Sequence, residues 1–241
     1  MGRATAECFA AEGADVGMCA RGAEELEDAA AAVRARGVRA VARPADLADA
    51  SQIEPMLAEV ATELGRLDAL VVNAGGPPFG FFRDLDDAAW QRAHELTLMS
   101  AVRLVRAALP WLERSDAPSI LFVSSFSIRQ PIGNLLLSNA VRMSVLGLAK
   151  SLATELAPVR VNTLIPGMIR TDRAVSLARS RAREGQSVDE VMAEHARQVT
   201  PLRRYGEPEE FARAAVFVSS PAASYVTGAA IPVDGGIIQA P

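Results

Sequence analysis

The chain has 241 residues, half of them apolar and 22% charged, with a formal charge of -4 and a pI near 5.4. That length suffices for one large domain with a substantial core, and the mild acidity gives no basis for nucleic acid or an anionic membrane as a partner. The two cysteines, Cys8 and Cys19, form no C-x-x-C pair and imply no disulfide framework, and no apolar run approaches the ~18 residues of a membrane span.

The chain opens directly into a predicted helix, Arg3–Glu12. Short apolar runs then alternate with longer amphipathic stretches. Strand Asp15–Ala20 precedes helix Ala23–Arg36, strand Val38–Arg43 precedes helix Gln52–Leu64, and strand Leu67–Asn73 precedes helix Ala88–Arg114. Strand Ser119–Ser124 leads to helix Ser138–Ala157, strand Arg160–Ile165 follows, and helix Pro208–Ser219 leads to strand Ala230–Val233. The strands are continuous apolar runs bounded by Gly, Pro, Asp or Asn, as expected when both sheet faces are buried. Asp49, Ser51 and Asp86 are candidate N-caps, while Gly13, Gly37 and Gly65 stand where glycine closes helices. The polar segment Ala174–Gln198 interrupts the alternation and is expected to be a lid or surface insertion, spanning about 174–200. The expected fold class is therefore α/β, a doubly wound parallel sheet with helices on both faces, forming one domain over 1–241. Because no signal-peptide pattern follows Met1, the expected compartment is the cytoplasm.

The opening is unusual because no strand precedes the first helix. In an open sheet of this kind the first strand lies centrally, so its absence would leave two inner strand edges unpaired. Each buried unpaired group costs on the order of 1–3 kcal/mol.

Seven short motifs lie in order along these elements: Asp46-Leu47, Asn73-Ala74-Gly75, Ser124-Ser125, Pro166-Gly167-Met168-Ile169-Arg170-Thr171, Arg204 to Glu210, Val226-Thr227-Gly228 and Val233-Asp234-Gly235-Gly236. Together they resemble the short-chain dehydrogenase/reductase family from Met1 to about Gly236, which implies a Rossmann-type domain. The resemblance assigns Asp46 and Leu47 to adenine, and Asn73, Ala74 and Gly75 to the support of the sheet beside the cofactor. Pro166, Gly167, Ile169 and Thr171 belong to the stretch that grips the nicotinamide carboxamide. Of the family's opening T-G-x-x-x-G-x-G only Gly2 remains, beside Met1 and Arg3. Two readings stay open: Met1 is an internal methionine taken for a start, or the chain is short with an incomplete phosphate cradle. The cost of a missing central strand favours the first.

The second departure lies at the chemistry. Val145-Leu146-Gly147-Leu148 sets the register of the family's Y-x-x-x-K, which places Ser138 on the tyrosine and Arg142 on the lysine. The family's serine-to-tyrosine spacing of 13 returns Ser125, and Thr97 stands at the asparagine of the tetrad. The catalytic candidates are thus Ser125, Ser138, Arg142 and Thr97, and no metal set is expected. A serine hydroxyl is a far weaker acid than a phenol of pKa ~10, and losing a positioned general acid typically costs ~10²–10⁴ in rate. Arg142 keeps the positive charge and can hold ribose hydroxyls through its planar fork. Ser125 has a competing role as a strand-end cap and Ser138 as a helix-start cap. His94 and His195 are alternative proton carriers, each set against an ordinary packing or surface role.

A resemblance to 3-oxoacyl-reductase-like members lacking the full tetrad rests on Gly75-Gly76-Pro77-Pro78 and Ser138-Asn139. It implies hydride transfer between a nicotinamide dinucleotide and a carbonyl or alcohol substrate. A silent cofactor- or partner-binding module is the alternative. NADP(H) is expected over NAD(H), because Ala20 stands where NAD enzymes of the family carry an aspartate and Arg21 follows to meet a 2′-phosphate. Apolar residues on more than one face of the two long helices, among them Leu104, Leu109, Leu146 and Leu152, lead to an expected homodimer or homotetramer.

Overall fold

The computed structural model describes residues 1–239, so the last two positions of the expected 1–241 domain lie outside the described residues. Helix α1 (Gly2–Ala11) leads to β1 (Val16–Ala20), α2 (Ala23–Arg34), β2 (Ala40–Pro44), α3 (Ala50–Leu64) and β3 (Ala69–Val72). Then come α4 (Asp87–His94), α5 (Ser100–Leu112), β4 (Ser119–Val123), α6 (Leu136–Glu155) and β5 (Arg160–Pro166). The chain continues through α7 (Asp172–Arg181), α8 (Val188–Val199), α9 (Pro208–Ser219) and β6 (Ala230–Val233). All ladders are parallel, and the architecture is the Rossmann-type α/β arrangement expected from the sequence.

The ladders fall into two groups. β1 pairs with β2, and β3, β4, β5 and β6 pair in that order, while no ladder among the described residues joins β1 to β3. The two unpaired inner edges are the ones expected from the absence of a strand before α1.

β4 and β5 are buried along their whole length, which accounts for their unbroken apolar sequence. On one face Ile120, Phe122 and Val161 meet Ile53 of α3 and Leu104 and Leu112 of α5. On the other, Leu121, Val123 and Leu164 meet Phe211, Ala215 and Val218 of α9. At β1 the approach of α3 leaves no room for a side chain at residue 17, since a Cβ on Gly17 would lie 2.2 Å from Val60 Cγ1.

Two expectations need correction. The single helix predicted over Ala88–Arg114 is two, because one π-helical turn, Glu95–Met99, separates α4 from α5. Apolar periodicity does not register the one-residue offset of a π-turn, so the break was invisible in the sequence. The polar segment Ala174–Gln198, expected as a lid or surface insertion, holds most of α7 and α8, the latter started by a capping box of Ser187 and Glu190. Finally, Ser51 caps nothing: Asp49 is the N-cap of α3 and accepts the Ser51 N–H at 2.9 Å. Asp86 caps α4 as expected, accepting from Ala89 N at 2.7 Å, and Gly13, Gly37 and Gly65 all take positive φ after their helices.

No helix among the described residues is long and apolar enough to cross a membrane.

Candidate active site

Parallel strands deliver their carboxyl ends to one edge of the sheet, where open α/β folds bind ligands. Almost every predicted site residue lies along this edge. Arg21 follows β1 and is exposed, and Asp46 and Leu47 follow β2, with Asp46 accepting the Ala48 N–H at 3.0 Å. Asn73, Ala74 and Gly75 follow β3, Ser124 and Ser125 follow β4, and Pro166 ends β5 with Gly167 next. Gly2, in the first turn of α1, comes up against the same edge, because a Cβ there would lie 3.1 Å from Asn73 Nδ2.

The stretch after β5 is held by backbone. Gly167 N donates to Val233 O at 3.0 Å, and a Cβ on Gly167 would sit 2.5 Å from Asp234 Cα, so only glycine fits. Ile169 is buried and its neighbours pair with Gly206: Arg170 N donates to Gly206 O at 2.8 Å and Gly206 N to Met168 O at 2.9 Å. Thr171 caps α7, its hydroxyl accepting from Ala174 N at 3.3 Å.

Arg142 and Thr97 meet in one narrow cleft of about 10 Å³, lined by Val72, Ala74, Thr97, Val123, Ser124, Arg142 and Val145. The π-turn holds Thr97, and such turns recur at functional sites. Thr97 Oγ1 and Ser124 Oγ are buried without a hydrogen-bond partner among the described residues. Arg142 reaches the cleft from α6, and its Nη1 donates to Val123 O at 3.2 Å. Burial, and secondarily the nearby Arg173, push the Arg142 guanidinium down to about 10.

Ser125 and Ser138 are not part of this lining. Ser125 extends at the end of β4 and caps a short 3₁₀ turn, accepting the Ser127 N–H at 3.2 Å. Ser138 is buried in the first turn of α6, and the adjacent Asn139 ties that turn to the preceding loop, its Nδ2 donating to Ile132 O at 3.0 Å. Neither histidine lines the cleft. His94 ends α4, while His195 Nδ1 lies 2.8 Å from the Tyr205 hydroxyl, and burial, more than the nearby Arg181, lowers its pKa.

Sequence reasoning passed over Ser124, the neighbour of the chosen Ser125. It also passed over Arg173, which stacks its guanidinium 4.4 Å from the Phe79 ring centre. The family spacing pointed to Ser125, and nothing in the order of residues shows that Arg173 faces the glycine pair after β3.

A nicotinamide dinucleotide fits these residues in part. Two orphaned hydroxyls, an arginine with one backbone acceptor, and a glycine-only approach at Gly167 line the carboxyl edge. Of the glycine-rich phosphate cradle, the described residues contain Gly2 and the N-terminus of α1.

The family profile for enoyl-(acyl carrier protein) reductase matches residues 1–238. Pig dehydrogenase/reductase SDR family member 4 is 33% identical over 239 residues, which cover 98% of this chain and 82% of that protein. The 3-oxoacyl-[acyl-carrier-protein] reductase FabG of Staphylococcus aureus is 31% identical over 242 residues, covering 98% of this chain and 93% of the relative. Among solved structures, L-sorbose reductase from Gluconobacter frateurii with NADPH and L-sorbose superposes with a TM-score of 0.95 at 31% identity, covering 99% of this chain and 92% of that one. An NADPH-bound short-chain oxidoreductase of Pseudomonas aeruginosa PAO1, described as containing an atypical catalytic center, gives 0.90 at 35% identity, covering 100% and 94%.

Proposed function

The chain belongs to the short-chain dehydrogenase/reductase family of oxidoreductases, and we propose that it transfers hydride between NADP(H), in preference to NAD(H), and a small carbonyl or alcohol substrate. The observation that carries this reading is the cleft at the carboxyl edge, where Arg142 stands beside the unpartnered hydroxyls of Thr97 and Ser124. Such buried polar groups cost free energy unless a ligand or water engages them, and catalytic sites are where folds keep them.

The cofactor, when bound, supplies or accepts the hydride. Arg142 holds its ribose hydroxyls through N–H groups left over from the bond to Val123 O, and Arg21 meets the 2′-phosphate. Asp46 and Leu47 border the adenine, Asn73, Ala74 and Gly75 support the floor, and Gly2 approaches the phosphates. Pro166, Gly167, Ile169 and Thr171 hold the nicotinamide end.

The proton is the harder part. Arg142 stays cationic well above neutrality, so it positions and stabilises charge but supplies no proton. Ser138 replaces the family's phenol as a hydrogen-bond donor to the substrate oxygen, either directly or through a water. The cleft has room for about one water with three polar neighbours, Thr97, Ser124 and Arg142, and Ser138 does not line it. Ser125 orients the substrate from the end of β4. Residues 1–241 act as one domain in which the helical pair around 174–200 forms the lid over the site, and the active species is a homodimer or homotetramer built on α5 and α6. The partly buried Leu146 remains available there, whereas Leu109 and Leu152 pack against the core and Leu104 is buried in it.

A second reading has its own observation in its favour. Ser125 is already occupied as a cap and the tetrad phenol is missing, which suits a silent protein that binds a dinucleotide or a partner. NADPH fluorescence titration followed by a ketone panel separates the two. Binding with turnover supports the enzyme, binding without turnover supports the silent module, and no binding defeats both cofactor readings.

A further inference from the structure

A second arginine stands across the glycine pair from Arg142. A Cβ on Gly76 would lie 2.6 Å from Arg173 Nη1 and 3.9 Å from Arg142 Nη2, so both guanidinium groups border one small space above Gly76. Neither makes an ion pair among the described residues. Two like charges at this range repel, and the proximity of Arg173 depresses the Arg142 pKa further than burial alone. An arrangement that costs free energy in the empty protein is relieved by an anion placed between the two groups.

Arg173 is not a loose surface side chain. Its guanidinium lies 4.4 Å from the centre of the Phe79 ring, a cation–π contact that holds it over the glycines. Phe79, Phe81 and Phe82 are 46%, 62% and 75% exposed, so the same loop presents an apolar surface beside the two cations. Cation pair and aromatic loop together make a site for a molecule with one anionic and one apolar end.

We propose that Arg142 and Arg173 form an oxyanion clamp that takes a carboxylate on the substrate, with the substrate's apolar part against Phe79. This rests on the oxidoreductase reading above and narrows it to oxo or hydroxy acids. Because the same two cations could serve the pyrophosphate of the dinucleotide, the experiment must distinguish these two sources of oxyanion.

Benzoate is a suitable probe, since it has a carboxylate and a ring but nothing to reduce, and benzamide is its neutral counterpart. Calorimetric titration of the full chain at low ionic strength, with and without saturating NADPH, gives the affinities directly. Benzoate is expected to bind in the presence of NADPH and benzamide to bind at least about ten-fold more weakly, the scale of a charge-assisted pair of hydrogen bonds. Arg173→Ala is expected to lose roughly ten-fold or more in benzoate affinity, with part restored by Arg173→Lys, which keeps the charge without the planar fork. Because Arg173 is exposed, these variants keep the fold. Equal affinities for benzoate and benzamide, or an unchanged Arg173→Ala variant, overturn the clamp. Displacement of benzoate by NADPH, with pyrophosphate binding weakened by Arg173→Ala, assigns the pair to the cofactor and overturns the substrate carboxylate. If the protein binds no NADPH at all, the oxidoreductase reading fails, while the benzoate titration alone still decides the clamp.

Discussion

Arg142 of α6 donates from Nη1 to the carbonyl of Val123, the last residue of β4, at 3.2 Å. That bond anchors a guanidinium in a mostly buried position, with Arg173 rather than a carboxylate as its nearest charged neighbour. A base whose pKa is lowered by folding is protonated less readily in the folded state than in the unfolded chain. Below about pH 10 its charge therefore costs stability, and the cost fades as pH rises through the folded value. Arg142→Met is expected to stabilise the protein without cofactor by roughly 1–3 kcal/mol at pH 7, while weakening NADPH binding. Urea denaturation with fluorescence titration checks both halves, and a destabilised variant would refute the first.

Ser138→Ala separates chemistry from binding. Turnover is expected to fall about ten- to a hundred-fold with cofactor affinity nearly intact, because one neutral hydrogen bond is worth ~0.5–1.5 kcal/mol and a relay somewhat more. The double change Ser138→Tyr with Arg142→Lys restores the family pair and is expected to raise turnover on generic carbonyl substrates. A ketone panel scored as kcat and KM separately gives the answer, and an unaltered kcat in Ser138→Ala removes Ser138 from the mechanism.

Arg160 locks the far end of the fold. From β5 its Nη1 donates to Val218 O at 2.7 Å and Ala223 O at 3.0 Å, and its Nη2 donates to Ser219 O at 2.9 Å and Ser220 O at 3.1 Å. Those of Val218, Ser219 and Ser220 close the C-terminus of α9, where a cation is also favoured by the helix dipole, and that of Ala223 belongs to the turn that follows. Arg160→Leu strands several buried acceptors at once, and a loss of roughly 3 kcal/mol or more is expected in chemical denaturation. A shift within error of the wild type would contradict this account.

Glu210 gives a pH-dependent test. The Arg204 guanidinium, with the Glu207 N–H second, pulls its carboxyl down to about 2. A carboxylate depressed by folding contributes stability that is complete above the ordinary carboxylate range and is lost as pH falls toward 2. Glu210→Gln keeps an acceptor for the Glu207 N–H but removes the pair with Arg204, so it is expected to be less stable at pH 7 and to match the wild type near pH 2. The pair is largely exposed and screened by solvent, which limits the difference to about 1 kcal/mol or less. Thermal unfolding across pH shows whether the two curves converge.

Hydrogen exchange reports on the divided sheet. Backbone groups facing the missing ladder between β1 and β3 are expected to exchange much faster than those of β4 and β5, which pair on both sides. Equal protection in β1, β3, β4 and β5 would mean that the two inner edges find partners in solution.

The alternation of apolar runs and amphipathic stretches was enough to determine the α/β class, because parallel strands buried on both faces must be apolar throughout. The same alternation located α9 and β6 to the residue, and the helix-first opening carried the unpaired edges of β1 and β3 as an expectation. The family resemblance also placed Ser138 and Arg142 together on α6, since the i-to-i+4 register of Y-x-x-x-K is a property of one helix. What the order of residues could not hold was the meeting of parts that are distant along the chain. Only the tertiary structure turned Thr97 on a π-turn toward Ser124, left Ser125 engaged as a cap, and brought Arg173 from the start of α7 to the glycines after β3. The physical reason is that side-chain direction at a helix break, and the distance between two loops, depend on how the helices pack across the sheet and not on any local pattern.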